Sequence, residues 1–477
     1  MAKFNTIDHN QPDTITYEGA AAYSRSTVSA WINMLFSSFM EDRFYESGTD
    51  QYNRFIDLTN EIAEKYGYKF VGKAAIFVRN EFGMRSVSQI LAAWLNDKSF
   101  ESKRNFYSAF YHRPDDVGEV FSLIDSFGEK RSHAIVRGTA DYLSTLNDYS
   151  LMKYRMLGHK YNMYDLINIS HANSENINAF KNDKLESADT WEVKISTAKS
   201  KEEKDAEWCR LVEEGKLGYM ALIRNLNNIL DSNISNSWIV EYLCPQLENE
   251  NKIRKSLIFP YRIYTAFKNL NVPNVQVVAS LEKAFSIATN NVPKFDGYNA
   301  VVLDVSGSMS DRVSYHSNVT LKDIGACFAA TLLLSGSNID FIKFGSTAMK
   351  KTINPLGGPF YIIKEMCKND DCGYGTCLSA ALEKMDEKYD RIFLISDMQV
   401  LDERSFFTAN PVKTYSWRFG NIPTYSFDLG NYHSQIMSPK NPNFHFLTSL
   451  NDVIFKFISF MESNNNIVDI INNTVDF

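Results

Sequence analysis

Asp304, Ser306 and Ser308 stand at alternate positions in Ala300-Val301-Val302-Leu303-Asp304-Val305-Ser306-Gly307-Ser308-Met309-Ser310, an apolar run that breaks into a loop of small residues. One carboxylate and two hydroxyls in a tight loop are hard oxygen donors, which suit a divalent cation such as Mg²⁺. Asp and Ser are also ordinary loop residues, so this stretch alone leaves a plain loop open. Two later stretches bear on the choice. Gly373-Tyr374-Gly375-Thr376 is a glycine-rich turn that delivers a hydroxyl just before the helical run Leu378 to Met385. Arg391-Ile392-Phe393-Leu394-Ile395-Ser396-Asp397 is a second apolar run that ends in a carboxylate.

Elements of the right kind exist to position these loops. Apolar runs bounded by turns read as strands buried on both faces, and four are predicted, at 300–304, 339–344, 391–396 and 424–429. Helical patterns at Leu321 to Leu334, at Tyr361 to Lys368, after Thr376 and at Val453 to Met461 separate or follow them. Strands alternating with helices predict a parallel, doubly wound α/β sheet. In such a sheet ligands sit at the C-terminal edge of the strands. The strand-end Asp-x-Ser-x-Ser, the loop Thr and the second strand-end Asp together resemble the metal-ion-dependent adhesion site of von Willebrand factor A domains. The resemblance implies one cation held by Asp304, Ser306, Ser308, Thr376 and Asp397, with the two Ser and the Thr touching it and the Asp side chains acting largely through water. Mg²⁺ is the expected ion, with Mn²⁺ and Ca²⁺ as alternatives.

The rest of the chain follows a different pattern. From Ala20 to about Ala288 apolar residues recur at helical spacing, as in Phe55, Leu58, Ile62 and Tyr66, or Val87, Ile90, Leu91 and Trp94. β-Hairpin signals are scarce. Many short helices joined by brief polar turns predict an α-solenoid of stacked helix pairs. The charge-dense stretch Lys181 to Asp205 reads as a solvated loop leading into a surface helix. Asn290-Asn291-Val292-Pro293 is a helix stop, which divides the chain into domains at 1–289 and 294–477.

Composition narrows the function classes. The 477 residues carry a net charge of −7 and 44% apolar residues, ordinary for a globular protein. Neither half is basic overall, so any nucleic-acid surface must be a local patch. Six cysteines in so long a chain make no disulfide framework, and Cys367, Cys372 and Cys377 are spaced too widely for a zinc knuckle. The polar first twenty residues and the lack of a long apolar run predict a cytosolic protein with no membrane span. One local patch exists. Between Lys130 and Lys160 lie Lys130, Arg131, Arg137, Lys153, Arg155 and Lys160 with His133 and His159, against Asp141 and Asp148, and Tyr142, Tyr154 and Tyr161 are interleaved. Such a stretch suits phosphate contact and base stacking, although a solvated helix face would also carry Lys and Arg.

Arg137-Gly138-Thr139-Ala140-Asp141-Tyr142, Lys153-Tyr154-Arg155 and Asp165-Leu166-Ile167-Asn168-Ile169-Ser170-His171 resemble the TROVE module of the Ro autoantigen family. Thr190-Trp191-Glu192-Val193 and the stretch Gly218 to Leu226 extend the resemblance. The Ro family joins a TROVE module to a von Willebrand A domain. The resemblance implies a ring of HEAT-like helical pairs closed by the A domain. It also implies a ribonucleoprotein of RNA quality control that binds small structured Y-like RNAs and single-stranded 3′ ends of misfolded noncoding RNA. His171 falls where the family carries a histidine important for RNA contact; judged alone it reads as a structural residue closing a helix. The implied partners are RNA and a protein such as an exoribonuclease, tethered through the RNA or the metal site, with no membrane and a monomeric chain. No catalysis is expected, because no carboxylate pair is placed to hold two metals and no base is evident near the site. The competing reading is a cation-dependent protein-binding module.

Overall fold

The computed structural model describes residues 14–15, 21–24, 27–36, 48–185, 191–232, 234–314, 317–386, 388–399, 418–430, 434–435, 443–447, 453–463 and 467–477. Thr190 of the resemblance and most of the first twenty residues lie outside these. Two compact units divide the chain. One comprises Met1–Phe55 and Leu217–Phe460, the other Ile56–Lys216 and Met461–Phe477.

The second unit is helical, as the periodicity predicts. Its helix Tyr68–Phe82 starts after Gly67 and is stopped by Gly83, whose left-handed backbone lets its N–H close onto the Arg79 carbonyl. One face buries Phe70, Val71, Ala74, Phe77 and Val78. Helix Tyr68–Phe82 packs on Arg85–Trp94, that helix on Pro114–Ser126, and Lys103–Phe110 on His133–Ser144. The last contact is so close that a Cβ on Gly138 would lie 2.6 Å from the Arg104 carbonyl oxygen. This stacking of short neighbours agrees with the expected helical repeats. The chain's far end contributes too. Helix Ile467–Thr474 packs on Tyr68–Phe82, Lys73 Nζ donates to the Asn472 carbonyl at 2.8 Å, and the Phe477 ring lies 5.5 Å from that of Phe106. The solvated loop expected at Lys181 to Asp205 contains two helices in its described part, Trp191–Thr197 and Lys201–Glu213, and Trp191 stacks on Trp208 at 5.8 Å.

A buried carboxylate pins this unit. Asp116 is fully buried and accepts from Arg79 Nη2 at 2.9 Å, Arg85 Nε at 2.9 Å and Gln89 Nε2 at 2.8 Å. Burial alone would raise its pKa, but the two guanidiniums outweigh burial and hold it below the ordinary carboxylate range. Its contribution is therefore present above the unfolded-state value and is lost as pH falls through the depressed folded value. Asp116→Ala leaves two arginines facing a vacated polar site and is expected to cost about 3–5 kcal/mol. A urea melt should show this, together with a loss of the acid-side stability change. A cost under ~1 kcal/mol would mean that the guanidiniums are solvated without it.

The first unit contains nine described strands, numbered along the chain. β1 (Thr14–Ile15), β2 (Ala21–Ser24) and β8 (Ser434–Gln435) form a small sheet. β3 (Tyr298–Asp304), β4 (Asn338–Phe344), β5 (Ala348–Lys350), β6 (Arg391–Ser396), β7 (Thr424–Asp428) and β9 (Phe444–Leu447) form the large one, in the order β5-β4-β3-β6-β7-β9. All its pairs are parallel except β4 with β5. Helix Leu321–Leu334 has the predicted bounds, started by a Thr320 capping box and buried along most of its length. Helices Pro359–Cys367, Leu378–Glu383 and Val453–Ser463 follow the predicted order. The four predicted strands and the doubly wound plan are found; the short edge strands β5 and β9 are additions. The same unit contains the helices from Tyr219–Arg224 to Val275–Ala288. Among the described residues no helix is long and apolar enough to cross a membrane, and none of the six cysteines is in a disulfide.

Candidate functional site

The parallel sheet brings the oxygen donors to one edge. β3 ends at Asp304 and its neighbour β6 ends at Ser396, next to Asp397. Asp304 is fully buried; its Oδ1 accepts from the Ser306 N–H at 2.8 Å and its Oδ2 from Ser396 Oγ at 2.7 Å. Both carboxylate oxygens are therefore aimed by the loop and by the neighbouring strand. Ser306 Oγ lies 3.4 Å from Ser308 Oγ, so two hydroxyls converge. Asp397 is buried, and its Oδ1 accepts from the Gln399 N–H at 3.2 Å. Met398 between them has a left-handed φ of 62° and donates its N–H to Ser396 Oγ at 3.0 Å. Backbone strain at a strand end beside two carboxylates is the kind that clusters at binding sites.

The loop of Thr376 is tied to the same edge. The Gly307 N–H donates to the Tyr374 carbonyl at 3.0 Å, the Cys377 N–H to the Gly345 carbonyl at 2.8 Å, and the Gly375 N–H to Ser346 Oγ at 2.9 Å. Position 345 must be glycine for this approach, since a Cβ there would lie 2.3 Å from the Gly373 carbonyl oxygen. Thr376 itself is 5% exposed.

Burial and the neighbouring Asp397 carboxylate push Asp304 up to about 7, against the opposing pull of its serine hydrogen bonds. A cation would relieve that repulsion. Among the described residues no group of three or more His, Cys, Asp or Glu side chains is placed to hold a metal. A cation at this edge would therefore have to draw on hydroxyls, and the side chains of Asp304, Ser306, Ser308, Thr376 and Asp397 offer oxygen alone. Such a donor set would suit Mg²⁺ better than zinc, which takes thiolate and imidazole ligands. Ser396, which aims Asp304, closes the apolar strand β6, and nothing in the local sequence marks its hydroxyl as a partner of Asp304.

In the helical unit the basic residues separate into different settings. Arg131 donates to Asp125 Oδ1 at 2.7 Å and to the Tyr161 hydroxyl, and its guanidinium lies 4.7 Å from the Phe121 ring centroid. Lys160 pairs with Asp125 Oδ2 at 2.8 Å while staying half exposed. Asp125 lies just before the basic stretch in sequence, so a count starting at Lys130 misses the acid that both cations use. Asp141 is taken by Arg104 at 2.6 Å. Lys130 and Arg137 are exposed on either side of the start of helix His133–Ser144. His171 caps helix Met163–Ser170 in a left-handed conformation, φ 58°, and is exposed. It thus closes the helix, as its type and place suggest, while leaving the ring open to solvent.

Lys153 and Arg155 come together around a cavity of about 450 Å³ that Arg113, Tyr154, His159 and Thr197 also line. The Arg113 guanidinium lies 5.3 Å from the Tyr154 ring centroid, and Lys153 Nζ 5.5 Å from it. Arg155 Nε is buried with no hydrogen-bond partner. Among the described residues the one acid in the wall is Asp115, and it is taken by Arg113 at 2.8 Å and Arg85 at 2.7 Å. The described wall therefore sets cations and the Tyr154 ring among the apolar residues Met152, Met156, Leu157 and Val193. Arg113 lies 40 residues before Lys153 in the numbering and is placed by Asp116, which accepts its N–H at 3.2 Å and fixes the start of helix Pro114–Ser126. No local sequence signal links it to the basic stretch.

Residues 147–291 match the TROVE domain family. The chain carries a TROVE domain. Lys153, Arg155, Lys160 and His171 fall within the matched residues, and Arg113, Lys130, Arg131 and Arg137 precede them. Telomerase protein component 1 of Rattus norvegicus is 30% identical over 119 residues, which are 24% of this chain and 4% of that protein. The Mus musculus protein of the same name is 30% identical over 125 residues, 26% of this chain and 5% of that one. The chain thus spans no more than 5% of the length of these curated relatives. The crystal structure of the Deinococcus radiodurans Ro (RSR) protein superposes with a TM-score of 0.62 at 16% identity, covering 91% of this chain and 99% of that one. The TROVE domain here therefore belongs to a chain with the fold of a Ro protein.

Proposed function

We propose that this chain is an RNA-binding protein of the Ro type, acting within a ribonucleoprotein and without catalysis of its own. The observation that carries the proposal is the cavity in the helical unit, which Arg113, Lys153, Tyr154, Arg155 and His159 line and where the one acid among the described residues is already paired. Cations beside an aromatic face bind phosphates and stack bases without selecting a sequence. The TROVE match and the Ro fold support the same reading. In its finer form, the exposed basic residues and His171 hold a small structured, Y-like RNA, and a single-stranded 3′ end of misfolded noncoding RNA is engaged as well. A protein partner such as an exoribonuclease would join through the RNA or through the cation site, and the chain itself acts as a monomer.

The proposed cation site is a single Mg²⁺ at Asp304, Ser306, Ser308, Thr376 and Asp397. The ion would supply a Lewis-acidic position that a partner's carboxylate could complete. That convergence of hydroxyls favours the second reading, a cation-dependent protein contact, as an added property of the other unit. RNA binding is expected to be indifferent to the cation, since every RNA residue named lies in 56–216.

The test is an anisotropy titration of one hairpin, with a 3′ overhang, without it, and with the overhang scrambled, in Mg²⁺ and in EDTA at matched ionic strength. Affinity should rise with the overhang, ignore its sequence and survive EDTA. A large loss on scrambling, or release by EDTA alone, would refute it.

A further inference from the structure

We propose that Lys343 is a positioning residue for the cation site, holding the loop that carries Thr376 in its binding conformation. The inference rests on the reading of that edge as a Mg²⁺ site. Lys343 lies in β4 opposite Leu303 of β3 and Met349 of β5, and its side chain is 0% exposed. Its neighbours in the strand, Phe341, Ile342 and Phe344, are buried apolar residues, so an ammonium here is out of pattern. Burying one is unfavourable unless it is paired, and an apolar side chain of similar length would fit the strand at less cost. What Lys343 holds explains its presence.

Lys343 Nζ donates to the Lys368 carbonyl at 2.7 Å and to the Asp370 carboxylate. Lys351 grips the same carboxylate from the end of β5 at 2.5 Å. The tether falls where the chain leaves helix Pro359–Cys367 and turns back. Asp370 and Asp371 have left-handed φ values of 47° and 63°, followed by Gly373 at 79°. Two adjacent non-glycine residues in that region persist only when their surroundings impose it. The turn is then zipped onto the cation edge. Asn369 Nδ2 donates to the Val305 carbonyl at 3.2 Å and its Oδ1 accepts from the Gly373 N–H at 3.1 Å. Tyr374 and Gly375 bond to Gly307 and Ser346 as described, and Thr376 comes next. Lys343 is thus the interior anchor of a strained turn whose far end presents a proposed ligand. It touches none of the proposed ligands itself.

The experiment is calorimetric titration of the full chain with Mn²⁺, for wild type, Lys343→Met, Thr376→Ala and the double variant, with amide exchange followed at Gly373–Thr376 in EDTA. Lys343→Met should bind Mn²⁺ at least tenfold more weakly and exchange faster in that loop, with its melting temperature in EDTA nearly unchanged. In the Thr376→Ala background the same substitution should have little further effect, because its action runs through Thr376. If Lys343→Met does not fold, Asp370→Asn removes the other end of the tether and should weaken Mn²⁺ in the same way. Wild-type affinity and exchange in a folded Lys343→Met would make the lysine purely structural and overturn the inference. Failure of the wild type to bind Mn²⁺ would instead overturn the cation site, and the inference with it.

Discussion

Lys153→Ala/Arg155→Ala is expected to bind a structured RNA with a 3′ overhang about a hundredfold more weakly than the wild type. A hydrogen bond to a charged group contributes about 1.5–3 kcal/mol, and two such contacts exceed the ~2.7 kcal/mol that a hundredfold represents. The log–log salt slope should become shallower by about 1.4, since each phosphate contact on a single strand contributes about 0.7. Arg131→Ala is the contrast. Arg131 is spent on Asp125 and on the Tyr161 hydroxyl, so its loss should lower the stability of the helical unit with little change in salt slope. Equal losses of RNA affinity at both sites, with the slope unchanged, would count against the cavity as the phosphate site.

Asp304→Ala/Ser306→Ala is expected to abolish Mg²⁺ binding while leaving RNA affinity intact. Removing Asp304 takes away the carboxylate that Ser306 and Ser396 aim, and removing Ser306 takes away one of the two converging hydroxyls. Of the proposed oxygen donors only Ser308, Thr376 and Asp397 would remain, too few protein ligands to hold a hard cation against water. Since the buried Asp304 is itself a liability in the absence of a cation, the variant should be no less stable than wild type in EDTA. Stabilisation of the wild type by saturating Mg²⁺ should vanish in the variant. A double variant that still titrates Mg²⁺ or Mn²⁺ normally would show that the ion, if bound, sits elsewhere.

The two candidate sites differ in how far the sequence exposes them. The cation edge is legible because β3 and β6 are central parallel strands, buried on both faces, and such strands appear as unbroken apolar runs. Where the run stops, the strand stops, and the polar residues that follow must lie at the sheet edge. The edge strands β5, Ala348–Lys350, and β9, Phe444–Leu447, are too short to produce a pattern. Ser396 and Lys343 were invisible for a different reason. Ser396 is the last residue of β6 and Lys343 stands between Ile342 and Phe344 in β4, and only the fold shows which partner the polar atom of each reaches.

In the helical unit periodicity gave the helices but not their partners. Whether a lysine or arginine is available depends on acids brought beside it by packing, and Asp125 and Asp115 decide that for Arg131, Lys160 and Arg113. The helix Ile467–Thr474 completes the core of a unit that begins some 400 residues earlier, a pairing to which no local pattern points. His171 shows both aspects at once: the left-handed cap is a structural duty, and the exposed ring is what remains for a ligand.

The most direct test of RNA binding by the helical unit is ultraviolet crosslinking in the protein's own cells, followed by mapping of the peptides that carry nucleotides. The account predicts crosslinks on peptides containing Lys153 to Lys160, with others near Arg113, Arg137 and His171, all recovered equally after chelation. Crosslinks concentrated on 298–430, or a chain recovered free of RNA, would contradict it.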